Sequence, residues 1–509
     1  MTVRAPIAAT ALALVTLAAG VPAATAQDLP HLRVAISEDA DVMDPTTGRA
    51  YVQRVALLNM CESLFDYNAK MEVVPRLALS YEWPDAQTLV VKLRPGVSFN
   101  DGTPVDAAAV KYSIERHQTY TGSARRGDLA SLTAVEIVDP LTVRFRLKGP
   151  DVVFLSQLAV RAGVLVSPTA AEAAGKDFGL RPVCAGPYRF LERVAQDRIV
   201  IERVPGYWDA ANYHFSRVTF RPISDSTVRL ANLRAGAIDV NMNVPPTLAD
   251  EVRKDNRLKL HTFDGLGYSG LTVNMGRNNT TPGAFGTDKR VRQAFDLAID
   301  RKAIVDVVFA GVHAPNAYPV PPTSPFFDAA LPQPTRDVAK ARALLQEAGV
   351  KLPFVIPLTV INNPEAVQVA EVMQSMVAEA GFELKLNTME FVSTLNSADK
   401  GDYTGWTVGW TGRPDADGNL RDLLYTGAGT NYTGYKNPAF DTLLDQARST
   451  GDMAARMTTY RKIYALLRDD LPIIYLYNAR WNFGMVAKVE GFDPVADGML
   501  RLNGVKFAR

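Results

Sequence analysis

Apolar residues recur along this chain with two spacings. Every second position is apolar through much of LRVAIS (32–37), QTLVVKLRPGVSF (87–99) and LTVRFRLKG (141–149), and turn-forming residues bound each run. Such alternation buries one face of an extended chain and wets the other, so three strands are predicted. YRFLERVAQDRIVIERV (188–204) holds two such runs around Ala195 to Asp197 and predicts a hairpin. Between the strands, TPVDAAAVKYSIERH (103–117) predicts a helix, with Asp106 placed to cap it. STVRLANLRAGAIDV (226–240) predicts a helix, a stop at Gly236 and a short strand.

In the second half the helical period dominates. TDKRVRQAFDLAIDRKAIVDVVFAG (287–311) predicts one long helix, opened by Thr287 or Asp288 and closed by Gly311. DVAKARALLQEAG (337–349) predicts another, and FVIPLTVIN (354–362) a strand after it. In EAVQVAEVMQSMVAEAG (365–381), Val369, Met373, Met376, Val377 and Ala380 share one helical face, which makes the methionines core packing rather than a ligand surface. Gly381 stops that helix, and FELKLNTM (382–389) alternates as a strand. Helices alternating with strands indicate α/β lobes whose sheets are covered by helices. NAYPVPPTSPFF (316–327) is a proline-rich irregular excursion.

The N-terminus changes the picture by fixing a compartment. Arg4, an apolar stretch from Ile7 to Val21, and Ala24-Thr25-Ala26 form a secretory leader, too short for a spanning helix, with cleavage expected after Ala26. The mature protein is expected in the periplasm. It is long enough for two or three lobes. Its 55 basic residues face 54 acidic ones, and losing Arg4 balances the charge. Nucleic-acid binding calls for a basic excess, so no nucleic-acid partner is expected. Two cysteines, Cys61 and Cys184, either pair in this oxidising compartment or remain as buried thiols.

Candidate chemistry is sparse. Gly265-Leu266-Gly267-Tyr268-Ser269-Gly270 matches a dinucleotide fingerprint, but strand-like LTVNM follows where a helix N-terminus must aim at the pyrophosphate. These glycines instead suit a close backbone approach or a turn between strands. GWTGRPDADGN (409–419) contains Asp415-x-Asp417-x-Asn419, the opening of a calcium loop. Its sixth and twelfth positions are Leu420 and Thr426 where glycine and glutamate belong. Gly-x-Ser-x-Gly and His-Glu-x-x-His do not occur, and the five histidines lack metal-ligand spacing. No catalytic residue, metal or cofactor is expected; an exported hydrolase stays as a distant alternative.

Several separated blocks resemble the extracytoplasmic solute-binding proteins of ABC transporters, specifically family 5, which serves dipeptides, oligopeptides, nickel and opines. They run in order: LRVAISEDADVMDPTTG (32–48), NMCESLFDYN (59–68), VVPRLALSYEW (73–83), LRPGVSFNDGTPVDAAAVKYSIERH (93–117), AGPYRFLE (185–192), VPGYWD (204–209), LRAGAIDV (233–240), KRVRQAFDLAIDRKAIV (289–305) and NYTGYKNPAFDTLLDQAR (431–448). The resemblance implies an α/β two-lobed clamp with mixed sheets flanked by helices and an extra subdomain on the first lobe. By similarity, lobe one takes 27–66, 181–272 and 485–509, the subdomain 67–180, and lobe two 273–484. The chain would cross near Thr272–Met275 and Phe483–Ala487, and a Cys61–Cys184 bridge would stiffen lobe one without locking the hinge. A monomer would carry a short peptide or peptide-like acidic solute to an ABC permease; an opine or amino-acid conjugate is the alternative.

The resemblance also brings GWTGRPDADGN to the cleft. Peptide binders of the family often place an aspartate there for the ligand's amino terminus; this chain has Arg413, whose planar fork of donors suits a carboxylate or phosphate. Arg413 either meets an acidic ligand or pairs with Asp415 or Asp417 to stiffen the loop, and those aspartates are the alternative receivers of an amine. Trp410 and Thr411 beside the loop, Tyr51 after the Asp-Pro turn, and Tyr268 and Asn274 near the first crossing complete the candidate ligand set. Trp406, on the same strand face as Trp410, is assigned to the core.

Overall fold

The computed structural model describes Thr2 and residues 29–508, so the predicted leader and its cleavage site lie outside the described residues. Seven strands form a first mixed sheet in the spatial order Leu258–Asp264, Arg480–Val486, Val240–Asn241, His31–Ile36, Arg217–Pro222, Arg198–Arg203 and Tyr188–Val194. Six form a second, ordered Ala314–Pro315, Ile473–Asn478, Tyr268–Val273, Gly405–Trp410, Phe354–Ile361 and Phe382–Met389. A separate antiparallel sheet of Ala78–Asp85, Thr88–Leu93, Thr142–Leu147 and Leu132–Asp139 sits in the excursion between the first two strands of the first sheet. Each sheet has its own apolar core, and that of the second sheet continues into the helices Pro438–Ser449 and Met453–Asp470. The fold is the mixed α/β clamp with an added subdomain.

The periodic segments fold as their patterns dictate. Asp106 accepts a hydrogen bond from the Ala109 amide and caps helix Ala107–Thr119. Val369, Met373 and Val377 are buried on helix Pro364–Ala378, Ala380 is buried just beyond it, and Met376 packs half-buried alongside. The predicted long helix over 287–311 is instead two, Lys289–Ala298 and Arg301–Phe309. Ile299 and Asp300 turn to extended backbone, and the Asp300 carboxylate caps the second helix through the Ala303 amide. A capping aspartate inside an unbroken apolar period restarts a helix without disturbing the period.

The chain passes between the two main sheets at 265–267 and again at Ala479, a few residues before both expected crossings. Tyr268 already pairs with Trp410 in the second sheet, and Phe483 pairs with His261 in the first. The glycine run supplies the room for close backbone approach at the first passage. A Cβ on Gly267 would lie 1.6 Å from the Trp410 carbonyl oxygen, and Gly412, at φ +80°, presses against Leu266 in return. Close backbone approach, not phosphate binding, is therefore the use of Gly265 to Gly270, and strand Tyr268–Val273 follows directly.

Cys61 and Cys184 form a disulfide across a sequence separation of 123 residues. It joins the turn after helix Tyr51–Leu58 to the return strand at Tyr188, and so ties the neck of the subdomain excursion. Closing so long a loop restricts the unfolded chain, a stabilisation of about 2–4 kcal/mol in typical proteins. Replacing both cysteines by serine is expected to lower the melting temperature by several degrees; an unchanged thermal unfolding curve would show that packing alone holds the neck.

Candidate ligand-binding cleft

A cavity of about 340 Å³ lies between the two main sheets. Ser37, Glu38, Asn243 and Trp481 face it from the first-sheet side, and Tyr268, Thr407, Trp410 and Thr411 from the second. Its size and mixed lining suit a small solute. The lobes touch around it. Arg49 pairs with Asp399 of helix Phe391–Lys400, Gln196 reaches Glu390, and the Val152 amide donates to the Arg448 carbonyl at 3.1 Å.

The loop after strand Gly405–Trp410 is held rigid from behind. Asp415 receives both Nη atoms of Arg456 at 2.8 and 2.9 Å and caps the 3₁₀ turn Ala416–Asn419. Asp417 is wholly buried between Arg421 and Arg448. Burial alone would raise its pKa, but the two guanidinium groups outweigh that and hold it below the ordinary range. Asn419, also fully buried, accepts the Arg413 amide at 2.7 Å and donates to the carbonyls of Leu266 and Pro319. The Trp410 indole donates to the Gly418 carbonyl at 3.1 Å. Both aspartates are thus saturated by helix-borne arginines, and neither lines the cavity.

Arg413 does line it, with no carboxylate partner among the described residues. Its Nη1 donates to the Gly412 carbonyl at 2.7 Å, and its guanidinium lies 5.0 Å from the centre of the Trp410 ring. Burial and the nearby Arg54 push its pKa down to about 10. Arg161 approaches from the subdomain. Only 5% exposed, it donates to the carbonyls of Gly48, Arg49 and Ala50 and, among the described residues, pairs with no carboxylate and leaves Nε without a partner. Burial depresses its pKa strongly, and Arg125, Arg413 and Arg54 depress it further. Arg125 is bound to Asp128 at 3.2 Å. Burial and the Asp128 carboxylate push the pKa of Asp422, which also lines the cavity, upward, so this acid pair favours sharing a proton and carries less negative charge than two free carboxylates. Both lobes therefore present buried positive charge to one cavity, and each guanidinium disfavours the other until an anion arrives.

The other expected residues divide. Tyr51 lines the cavity, donates its hydroxyl to the Gly498 carbonyl and stacks on Trp481 at 5.1 Å. Tyr268 lines it too, edge-on to Tyr475 at 4.6 Å. Thr411 stands in the lining beside Trp410. Asn274 does not: its amide donates to the carbonyls of Gly401 and Tyr403 and accepts from the backbone of Gly276 and Arg277. Trp406 is buried against Tyr403 and Tyr432 but also reaches the cavity wall, its indole nitrogen unpartnered. Sequence reasoning missed Arg161, Arg125, Glu38 and Trp481. Arg161 carried a readable signal, a single charge inside the apolar run LAVRAGVLV.

The chain is similar to known proteins over most of its length. A family model described as "Bacterial extracellular solute-binding proteins, family 5 Middle" matches residues 72–432. The glutathione-binding protein GsiB of Pectobacterium atrosepticum is 31% identical over 480 residues, covering 91% of each chain. Among solved structures, the periplasmic binding protein AgaA of A. tumefaciens R10 in complex with agropinic acid superposes with a TM-score of 0.85 at 27% identity, covering 94% of this chain and 99% of that one. DppA of Helicobacter pylori in complex with the peptide STSA has a TM-score of 0.86 at 24% identity, with 94% and 98% covered, a likeness of fold. Family model, relatives and two-sheet clamp agree: the chain belongs to the family 5 bacterial extracellular solute-binding proteins, the solute-capturing components of ABC importers.

Proposed function

We propose that this protein captures a peptide-like solute carrying at least one carboxylate and delivers it from the periplasm to its permease, acting as a monomer, without catalysis and without a nucleic-acid partner. One observation carries the reading: Arg161 and Arg413, buried and without carboxylate partners among the described residues, face one cavity from opposite lobes. A ligand carboxylate would accept charge-assisted bonds from both. It would add contacts available only in the closed form and shift the clamp toward closure. Tyr51, Tyr268, Trp410 and Thr411 would wall the remainder of the solute. The lobes would be 29–66, 181–264 and 480–508 for the first, 67–180 for the subdomain, and 268–478 for the second.

Glutathione, with two carboxylates and one ammonium, is the first solute to try, because the relatives GsiB are named for it. An opine is the second, favoured by the agropinic-acid complex of AgaA. A thermal-shift screen of peptides, opines and amino-acid conjugates is expected to find an acidic compound that raises the melting temperature and is recovered unchanged. Turnover of that compound would overturn the reading. Arg413→Ala is expected to weaken its binding by about tenfold or more, the loss of one charge-assisted bond; unchanged affinity would reduce Arg413 to shaping the loop.

A further inference from the structure

The cavity has a second charged end. Glu38 lines it just past strand His31–Ile36, and Glu365 lines it from the first turn of helix Pro364–Ala378 in the other lobe. Glu390, the exposed cap of helix Phe391–Lys400, adds a third carboxylate close to Glu38 at the rim. Arg229 is the cation that faces this group, and its guanidinium is taken up by the carbonyls of Ile223, Ser224 and Asn243. Glu38 itself makes no ion pair among the described residues. Arg161 senses Arg125, Arg413 and Arg54, and Arg413 senses Arg54 and Arg125 together with Asp128 and Asp422, whereas Glu38 senses Arg229 and Glu390; Asp41 acts on both Arg161 and Glu38. The cavity is therefore bipolar, and at each end the two lobes bring up like charges.

We propose that Glu38, on the wall of the cavity to which the second lobe adds Glu365, receives the ammonium end of the solute whose carboxylate lies on Arg161 and Arg413. The inference rests on the functional reading above and extends it: the solute is a zwitterion, bound with its amine away from the Arg413 loop. An ammonium on Glu38 relieves its repulsion with Glu390 of the second lobe, as a carboxylate does between Arg161 and Arg413. Neither charge alone closes both ends. Burial pushes Glu38 up to about 7, Arg229 opposes this, and Glu390 and Asp41 add to it, with the Ser37 hydroxyl and the Tyr51 phenol also near. An ammonium lowers that pKa, so binding near neutral pH releases a proton from the Glu38 carboxyl to solvent.

Three probes test it by calorimetry: glutathione, glutathione acetylated on its amine, and glutathione amidated on its carboxylates. The wild-type protein is expected to bind glutathione at least about tenfold more tightly than the acetylated form, the scale of one charge-assisted bond. Glu38→Gln is expected to erase that preference while keeping the preference over the amidated form. Because Glu38→Gln removes a half-buried carboxylate that lies near Glu390 and Asp41, its melting temperature without ligand should match or exceed that of the wild type, which checks folding independently. Equal binding of free and acetylated amine by the wild type, or a preference untouched in Glu38→Gln, would overturn the inference while leaving the anionic reading intact. Equal binding of glutathione and its amidated form would overturn both.

Discussion

Asp417→Ala is expected to destabilise the protein by about 3 kcal/mol, because it removes the carboxylate shared by two buried guanidinium groups and leaves Arg421 only Asp445 and Arg448 only Asp151. Asp417 has no solvent exposure, and both its oxygens are taken, one by Arg421 at 3.1 Å and the other by Arg448. Arg448 is itself buried and reaches Asp151 of the subdomain at 3.7 Å, so the carboxylate anchors a contact between the lobes as well as the loop. Asp415→Ala is expected to cost less, since Asp415 is partly exposed and Arg456 keeps its bond to the Ala447 carbonyl. The pH dependence has a defined sign. The pKa of Asp417 is depressed in the folded protein, so its contribution is present above the ordinary carboxylate range and lost as pH falls through the folded value. The gap in unfolding free energy between wild type and Asp417→Asn, measured by urea titration, should therefore narrow at acid pH. A gap under about 1 kcal/mol at neutral pH, the scale of an exposed pair, would mean that water screens the triad.

Much of this fold is written in local patterns. Strand alternation, the Asp106 cap and the Val369–Val377 face are legible because each follows from a periodicity or a single capping bond. The split at Ile299–Asp300 was not, since apolar spacing runs through it unchanged. The lobe crossings were misplaced because strands run straight up to them; only the glycines of 265–267 mark the first, and Ala479 marks the second with nothing. The site was half legible. Arg413 stood out as a cation in a loop that the family resemblance brings to the cleft. That nothing nearby pairs with it was hidden: Asp415 and Asp417 lie two and four residues away, yet besides the local Arg421 their partners, Arg456 and Arg448, come from helices that follow much later in the chain. Asn274 read as a hinge amide facing ligand, whereas it closes a turn by four backbone bonds. Partnerships of polar groups depend on where helices dock, and a linear pattern does not carry that.

Replacing Arg161 and Arg413 together by glutamine is expected to reduce affinity for an anionic solute by hundredfold or more. Each charge-assisted bond contributes roughly 1.5–3 kcal/mol, and the pair about 3–6 kcal/mol if the two act independently. The stability of the empty protein is expected to move the other way. Both guanidinium groups sit in a medium that disfavours charge, each raises the free energy of the other, and no carboxylate within 4.0 Å among the described residues repays that. Glutamine keeps hydrogen-bond donors for the carbonyls of Gly48 and Gly412 while removing the charge. The double variant should therefore melt no lower than the wild type when empty. With the repulsion between lobes gone, it should also populate the closed form without ligand, seen as a smaller radius of gyration in solution scattering. Undiminished affinity would sink the anion site. A large loss of stability would show instead that the two arginines hold the lobes together, with the bonds to the 48–50 carbonyls outweighing their mutual repulsion. The three readouts separate the roles: affinity reports the ligand, melting temperature reports the buried charge, and scattering reports what that charge does to an empty clamp.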